Sequence, residues 1–238
     1  MKTYFLPLFL LGLLLGSCAR KSANYYFRSG LEKAHYADYD GAIAEYNKGL
    51  ERKPGSAELY KLRGIAYYEL ADYKAAARDI NQALLLKEDD AEAYKYRADI
   101  KTQTKDYRSA ITDYDQAIGL NLTYANAYNN RGYCRAKLKD FTGAITDYNK
   151  ALMLKPDYAV AYQNRANAHL RAKAITAALG DYNKALELNP GLAEAYYNRA
   201  IIHRAMKNNQ QACQDWQSAL DKGIDQAASF LKKYCGRK

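Results

Sequence analysis

The feature that most constrains this chain is a period of 34 residues, which runs without insertion from Ala23 to Gln226. Tyr26, Tyr60, Tyr94, Tyr128, Tyr162 and Tyr196 mark it, and so do Ala42, Ala76, Ala110, Ala144, Ala178 and Ala212. Gly30, Gly64, Ala98, Gly132, Ala166 and Ala200 are small at a second phase, and Gly49, Ala83, Ala117, Ala151, Ala185 and Ala219 at a third. A unit this short cannot bury its own apolar face, so consecutive units must stack and share one continuous core. Each unit reads as two helical stretches, such as Ala125–Lys137 and Phe141–Met153, with Lys139 and Asp140 at the turn. The small positions let the two helices approach closely, and the aromatics fill the space beside them. Pro54, Pro156 and Pro190 stop the second helix where they occur, because proline cannot continue it. Glu88, Leu122 and Ile224 hold that position in the other units, so those joints lack the stop.

The unit that contains Tyr128, Gly132, Phe141, Ala144, Tyr148, Ala151 and Pro156 resembles the tetratricopeptide repeat, and the other five follow it in register. The resemblance implies an all-α, right-handed α-solenoid of six hairpins. Their bounds are 23–56, 57–90, 91–124, 125–158, 159–192 and 193–226. Beyond them, 224–238 reads as a capping helix and basic tail, with Ala227, Ala228, Leu231 and Tyr234 as its apolar stripe and Lys232 and Lys233 outside. Most of the 24 tyrosines stand at repeat-defining packing positions, so tyrosine richness alone does not argue for a stacked ligand.

The N-terminal residues read as a targeting segment. Lys2 precedes an apolar run from Phe5 to Leu15, shorter than the roughly 20 residues that span a bilayer. The run ends in Leu15-Gly16-Ser17-Cys18, which resembles the lipobox of bacterial lipoproteins. That resemblance implies a signal peptide at 1–17, lipid on Cys18 and a short linker at 18–22. The alternative is an ordinary secretory signal with an incidental cysteine. Ala19, where retained lipoproteins carry aspartate, implies the outer membrane, facing the periplasm. Four residues, Ala19 to Ser22, then separate the lipid from the first repeat and reach at most about 14 Å, so the folded body would lie close to the membrane.

Arg63, Arg97, Arg131, Arg165 and Arg199 recur at the same period, and Glu45, Asp79, Asp113, Asp147, Asp181 and Asp215 recur sixteen residues after that phase. An internal ladder of arginine–carboxylate pairs is expected, since half-buried arginine is normally paired. Pairing either stays within a unit (Arg63 with Asp79) or joins consecutive units (Glu45 with Arg63). Cys213 and Cys235 flank Gly223 at nearly equal distance. A turn there would bring the thiols level, so a bridge is expected, with two separately buried thiols as the alternative. Cys134 takes a small position in a first helix and reads as a free, buried thiol. His169 and His203 hold equivalent positions in adjacent units, too far apart for two ligands of one zinc ion. No metal or cofactor is expected.

No nucleophile elbow, phosphate loop or paired catalytic carboxylates appear, so a non-catalytic role is expected. The formal charge is +10, but Lys and Arg alternate with acids in every unit, so nucleic acid is not an expected partner. The resemblance implies that first helices line a concave groove. The groove row contains Phe27, Lys61, Lys95, Asn129, Tyr133, Gln163, Asn167 and Tyr197. Ile65 and Asp99 break the family's pattern for gripping chaperone carboxylates. The row suits an extended peptide or a partner helix, with Tyr133 and Tyr197 as rigid anchors. The expected role is a lipid-tethered adaptor for other envelope proteins. A second reading is an envelope carbohydrate binder that uses Tyr68, Tyr133 and Tyr197.

Overall fold

A computed structural model describes residues 21–236 of the chain. Among them the regular structure is entirely helical. Six hairpins follow one another: α1 (Ala23–His35) with α2 (Tyr39–Arg52), α3 (Ala57–Glu69) with α4 (Tyr73–Leu86), and α5 (Ala91–Gln103) with α6 (Tyr107–Leu120). Next come α7 (Ala125–Lys137) with α8 (Phe141–Leu154), α9 (Ala159–Arg171) with α10 (Ile175–Leu188), and α11 (Ala193–Ala205) with α12 (Asn209–Asp221). A last helix, α13 (Gln226–Tyr234), lies on α12. Each hairpin packs on the next, giving an α-solenoid. No described helix is long and apolar enough to cross a membrane. The expected signal peptide, Cys18 and the final basic residues fall outside the described residues.

One turn is used six times. Ala37, Ala71, Lys105, Lys139, Lys173 and Lys207, each 34 residues apart, adopt left-handed backbone with φ between 58° and 67°. In the first of them the Ala37 N–H donates to the Ala34 carbonyl and the Asp38 N–H to the Lys33 carbonyl, closing the free carbonyls of α1. Asp38 then opens α2, its carboxylate accepting from the Gly41 N–H at 3.0 Å, as an N-cap does. Asp72, Asp106 and Asp140 cap α4, α6 and α8 in the same way. Ala174 cannot, and α10 starts without a side-chain cap. The second helices α4 and α6 end in register with α2, α8 and α10 although they lack proline, so the stop belongs to the turn and the following hairpin, not to proline alone.

The core runs the length of the stack. Tyr46, Ile80, Tyr114, Tyr148, Tyr182 and Trp216 hold one repeat position and are all fully buried. Each faces the small residue of its own first helix. At Gly132 even a Cβ would stand 2.9 Å from the Tyr148 ring and 3.1 Å from the Ala144 carbonyl, so the smallness read from the sequence is a close helix approach. Burial pushes the Tyr46 hydroxyl up to about 12 and the Cys134 thiol up to about 11. Cys134 is free and fully buried, as expected.

The arginine ladder forms, and it forms within each hairpin. Nε and Nη2 of Arg63, Arg97, Arg131, Arg165 and Arg199 donate to both oxygens of Asp79, Asp113, Asp147, Asp181 and Asp215 at 2.6–3.0 Å. The remaining Nη1 reaches the preceding hairpin, to Asn47, Asn81, Asp115, Asn149 and Asn183 respectively. Each guanidinium also lies over the tyrosine three residues before it, 5.1–5.5 Å from the ring centroid. The alternative pairing of Glu45 with Arg63 does not occur. Glu45 accepts instead from Lys48 at 2.6 Å. The link between hairpins therefore runs through an amide or carboxylate two residues beyond the acidic position.

Four of these aspartates face a second basic side chain from one turn further along the first helix, a cation at Asp113 and Asp147 and an imidazole at Asp181 and Asp215. Lys101 meets Asp113 at 2.6 Å, and Arg135 meets Asp147 at 2.9 Å. His169 and His203 stand 3.8 and 3.9 Å from Asp181 and Asp215. Burial lowers the pKa of both histidines, and the neighbouring ladder arginine lowers it further against the pull of the aspartate. No group of three His, Cys, Asp or Glu among the described residues is placed to hold a metal ion.

Gly223, at φ 92°, turns the chain from α12 into α13, and Cys213 and Cys235 are bridged with their Cα atoms 5.8 Å apart. The cap's buried stripe differs from the sequence expectation. Ala227, Phe230 and Leu231 face α12, whereas Ala228 is exposed. The large end residue Trp216 requires this, since Phe230 packs on it at 5.0 Å and Tyr234 at 5.8 Å between ring centroids.

Four variants test this account. Asp147→Ala leaves two guanidinium groups without their buried carboxylate and should lower stability to urea by about 3 kcal/mol. Asp115→Ala, on a half-exposed partner, should cost less than about 1 kcal/mol. Ala174→Asp supplies the missing cap and should add about 1 kcal/mol. Replacing both Cys213 and Cys235 by serine opens a loop spanning 22 residues and should remove about 3 kcal/mol, with loss first at the C-terminal end in hydrogen exchange.

Candidate functional site

Most of the groove row expected from the sequence is used to hold the stack. Lys61 is buried, its ammonium within 3.1–3.2 Å of Glu58, Asp90 and Glu92. Burial alone would depress its pKa, but hydrogen bonds to Glu92 and Asp90 outweigh that and raise it above the ordinary lysine value. Lys95 meets Asp99 at 2.9 Å and lies over the Tyr96 ring. Asn129 is buried, donating to Asn130 and accepting from Asn164. Gln163 is buried and donates to Glu194 at 3.3 Å. Phe27 packs into the first hairpin's core. Tyr197 is not a free anchor, because it meets Phe230 of the cap edge-on at 5.7 Å. The physical reason is shared. The first helices α3, α5, α7 and α9 lie close enough to touch in sequence, and the fifth-position side chains find partners on their own or a neighbouring element before they reach solvent.

Tyr133 and Asn167 are different. They border an open cleft of about 740 Å³ between α7, α8, α9 and α11, a size typical of ligand clefts. Asn164, Asn167 and Asn198 furnish its floor with amides. Asn164 donates one amide hydrogen to Asn129, and Asn198 one to Asn167, each at 3.1 Å. Asn167 also accepts from the buried Tyr182 hydroxyl. The remaining amide oxygens of Asn164 and Asn198, and the amide hydrogens of Asn167, have no hydrogen-bond partner among the described residues. Apolar surface comes from Phe141, Leu170 and Ile201, and Tyr133 is the exposed aromatic at the rim. The cleft lies mainly between the fourth and fifth hairpins, with Asn198 and Ile201 of α11 at its far side.

Of the eight expected groove residues, Tyr133 and Asn167 line the cleft, and the amide row one position after the fifth was not among those expected. Asn130, Asn164 and Asn198 are 34 apart, as are Lys137 and Arg171 at the cleft's edge. The period itself was the signal that could have found them. Of the aromatics proposed for carbohydrate stacking, Tyr68 is packed against Tyr73 and Tyr96 and Tyr197 against the cap. Only Tyr133 keeps an exposed face.

A stack of helical hairpins with a lateral amide-lined cleft defines a class of repeat scaffold. Residues 91–124, 125–158 and 181–214 each match a tetratricopeptide-repeat family model. The last segment begins at α10, so it joins the second helix of one hairpin to the first of the next. The chain thus carries tetratricopeptide repeats. Among solved structures, MamA is similar at 28% identity, over 72% of this chain and 94% of that one, with a TM-score of 0.63. PilF of Pseudomonas aeruginosa shares the fold at 16% identity, over 89% and 97%, with a TM-score of 0.79. YrrB, described as a tetratricopeptide-repeat protein with an unusual peptide-binding site, shares it at 20% identity, over 79% and 97%, with a TM-score of 0.64. No curated protein sequence matches the chain.

Proposed function

We propose that this chain is a non-catalytic interaction scaffold that holds an extended segment of a partner protein in the cleft between α7, α9 and α11. The observation that carries this reading is the set of free amide groups on Asn164, Asn167 and Asn198 beside the apolar wall of Leu170 and Ile201. An extended peptide presents unpaired N–H and C=O groups along its length, and burying them requires partners. Side-chain amides supply both donor and acceptor, and they recur at hairpin spacing. Tyr133 can then close over a peptide side chain at little entropic cost. A peptide-binding site in the structurally similar YrrB is consistent with this use of the fold.

The setting we propose is a bacterial envelope, with the scaffold held by lipid on Cys18 at the periplasmic face of the outer membrane. Leu15-Gly16-Ser17-Cys18 supports the lipid, and the Cys213–Cys235 bridge suits an oxidising compartment. Acyl chains contribute ~0.8 kcal/mol per buried methylene, enough for several chains to anchor a protein this size. The short link to α1 would keep the first hairpin against the bilayer and leave the cleft, three hairpins further on, clear of it.

A photo-reactive residue at position 133 should cross-link a partner in cells, whereas one at Met153, exposed on α8, should not. Combining Tyr133→Ala with Asn198→Ala should cut partner recovery by about tenfold or more at an unchanged melting temperature. Adducts from position 153 alone would place binding on the second helices. Cys18→Ser should move the protein from the membrane to a soluble or unprocessed form. An unchanged, correctly cleaved membrane protein would remove the lipid from this reading.

A further inference from the structure

The cleft carries one sign of charge. Lys137 at the end of α7, Lys139 in the following turn and Arg171 at the end of α9 line it, and no Asp or Glu does. All three cations are exposed, and none is within salt-bridge distance of a carboxylate among the described residues. Several other cations of the first helices are paired. Lys61 meets three carboxylates, Lys95 meets Asp99, Lys101 meets Asp113 and Arg135 meets Asp147. Cations at helix C-termini are favourable against the dipole, which accounts for Lys137 and Arg171 as last-turn residues. It does not account for the absence of every counter-charge at this cleft, in a fold that pairs the groove cations Lys61 and Lys95 with carboxylates. Lys137 also lies over the Tyr133 ring, 4.9 Å from its centroid, so the exposed anchor and a cation form one edge.

Resting on the peptide reading above, we infer that the cleft selects an acidic extended peptide. One or two Asp or Glu side chains would lie at the edge formed by Lys137, Lys139 and Arg171. An adjacent apolar side chain would enter against Leu170 and Ile201, and the intervening backbone would meet Asn164 and Asn198. Arg171 offers a planar fork that a carboxylate can meet with two hydrogen bonds, and the two lysines supply point charges beside it. With no acid in the cleft, a carboxylate enters without repulsion, whereas a basic peptide meets three like charges.

The test uses a displayed library of random dodecapeptides, selected on the immobilised, oxidised protein at about 0.1 M salt. Selected peptides should be enriched in Asp or Glu next to a large apolar residue. The best one, synthesised with its acids changed to Asn or Gln, should bind roughly tenfold more weakly for each carboxylate lost. The variant with Lys137→Gln, Lys139→Gln and Arg171→Gln should bind the acidic and amide peptides alike, with helicity and melting temperature unchanged. Combining Asn164→Ala with Asn198→Ala should weaken both peptides equally. Selected peptides without acidic enrichment, or an acidic preference that survives the triple variant, would overturn this inference and leave the peptide cleft standing. No selection above background, or binding indifferent to Asn164→Ala with Asn198→Ala, would overturn the peptide reading itself.

Discussion

The buried bidentate pair between an arginine of each first helix and an aspartate of its second helix is the interaction on which the stack depends. It is costly to desolvate such charges and worthwhile only when every hydrogen-bonding position is met. Here the aspartate receives two guanidinium nitrogens and, from the third repeat onward, faces a second basic side chain. The guanidinium's last nitrogen crosses to the preceding hairpin. One side chain thereby fixes the spacing within a hairpin and its register on its neighbour. The first hairpin has Ser29 at that position and no predecessor to reach.

Around that ladder the apolar packing is regular because the backbone is. A left-handed turn residue recurs every 34 positions without glycine, which means the hairpin closure tolerates local strain that the packed helices repay. The large residue of each second helix fits against the small residue of each first helix. At the open C-terminal end Trp216 replaces tyrosine, and α13 covers it with Phe230 and Tyr234. The bridge then ties the cap to α12.

From the third to the fifth hairpin, groove-facing polar side chains are joined into a chain: Lys95 to Asp99, Asp99 to Asn130, Asn130 to Asn129 and Asn129 to Asn164. Beyond Asn164 the cleft begins, and the amide oxygens of Asn164 and Asn198 face it. Lys137, Lys139 and Arg171 stand at its edge with no carboxylate within salt-bridge distance among the described residues.

The repeat period, the two helices per unit, the small and aromatic core positions and the ladder's membership were all determined by the sequence itself. Each is a local or strictly periodic property, and a 34-residue step converts it directly into a spatial row. What only the tertiary structure decided was direction. Whether Arg63 paired with Asp79 or Glu45 depended on which helix faces lay in contact. Whether Lys61, Asn129 and Gln163 met solvent depended on how closely successive first helices approached. Whether Tyr197 was an anchor or a wall depended on the cap that folds over it, and Phe230 displaced Ala228 from the cap's stripe because Trp216 needed a large partner. Periodicity assigns a residue to a row. Only the packing distance between rows determines whether that row is a seam or a surface.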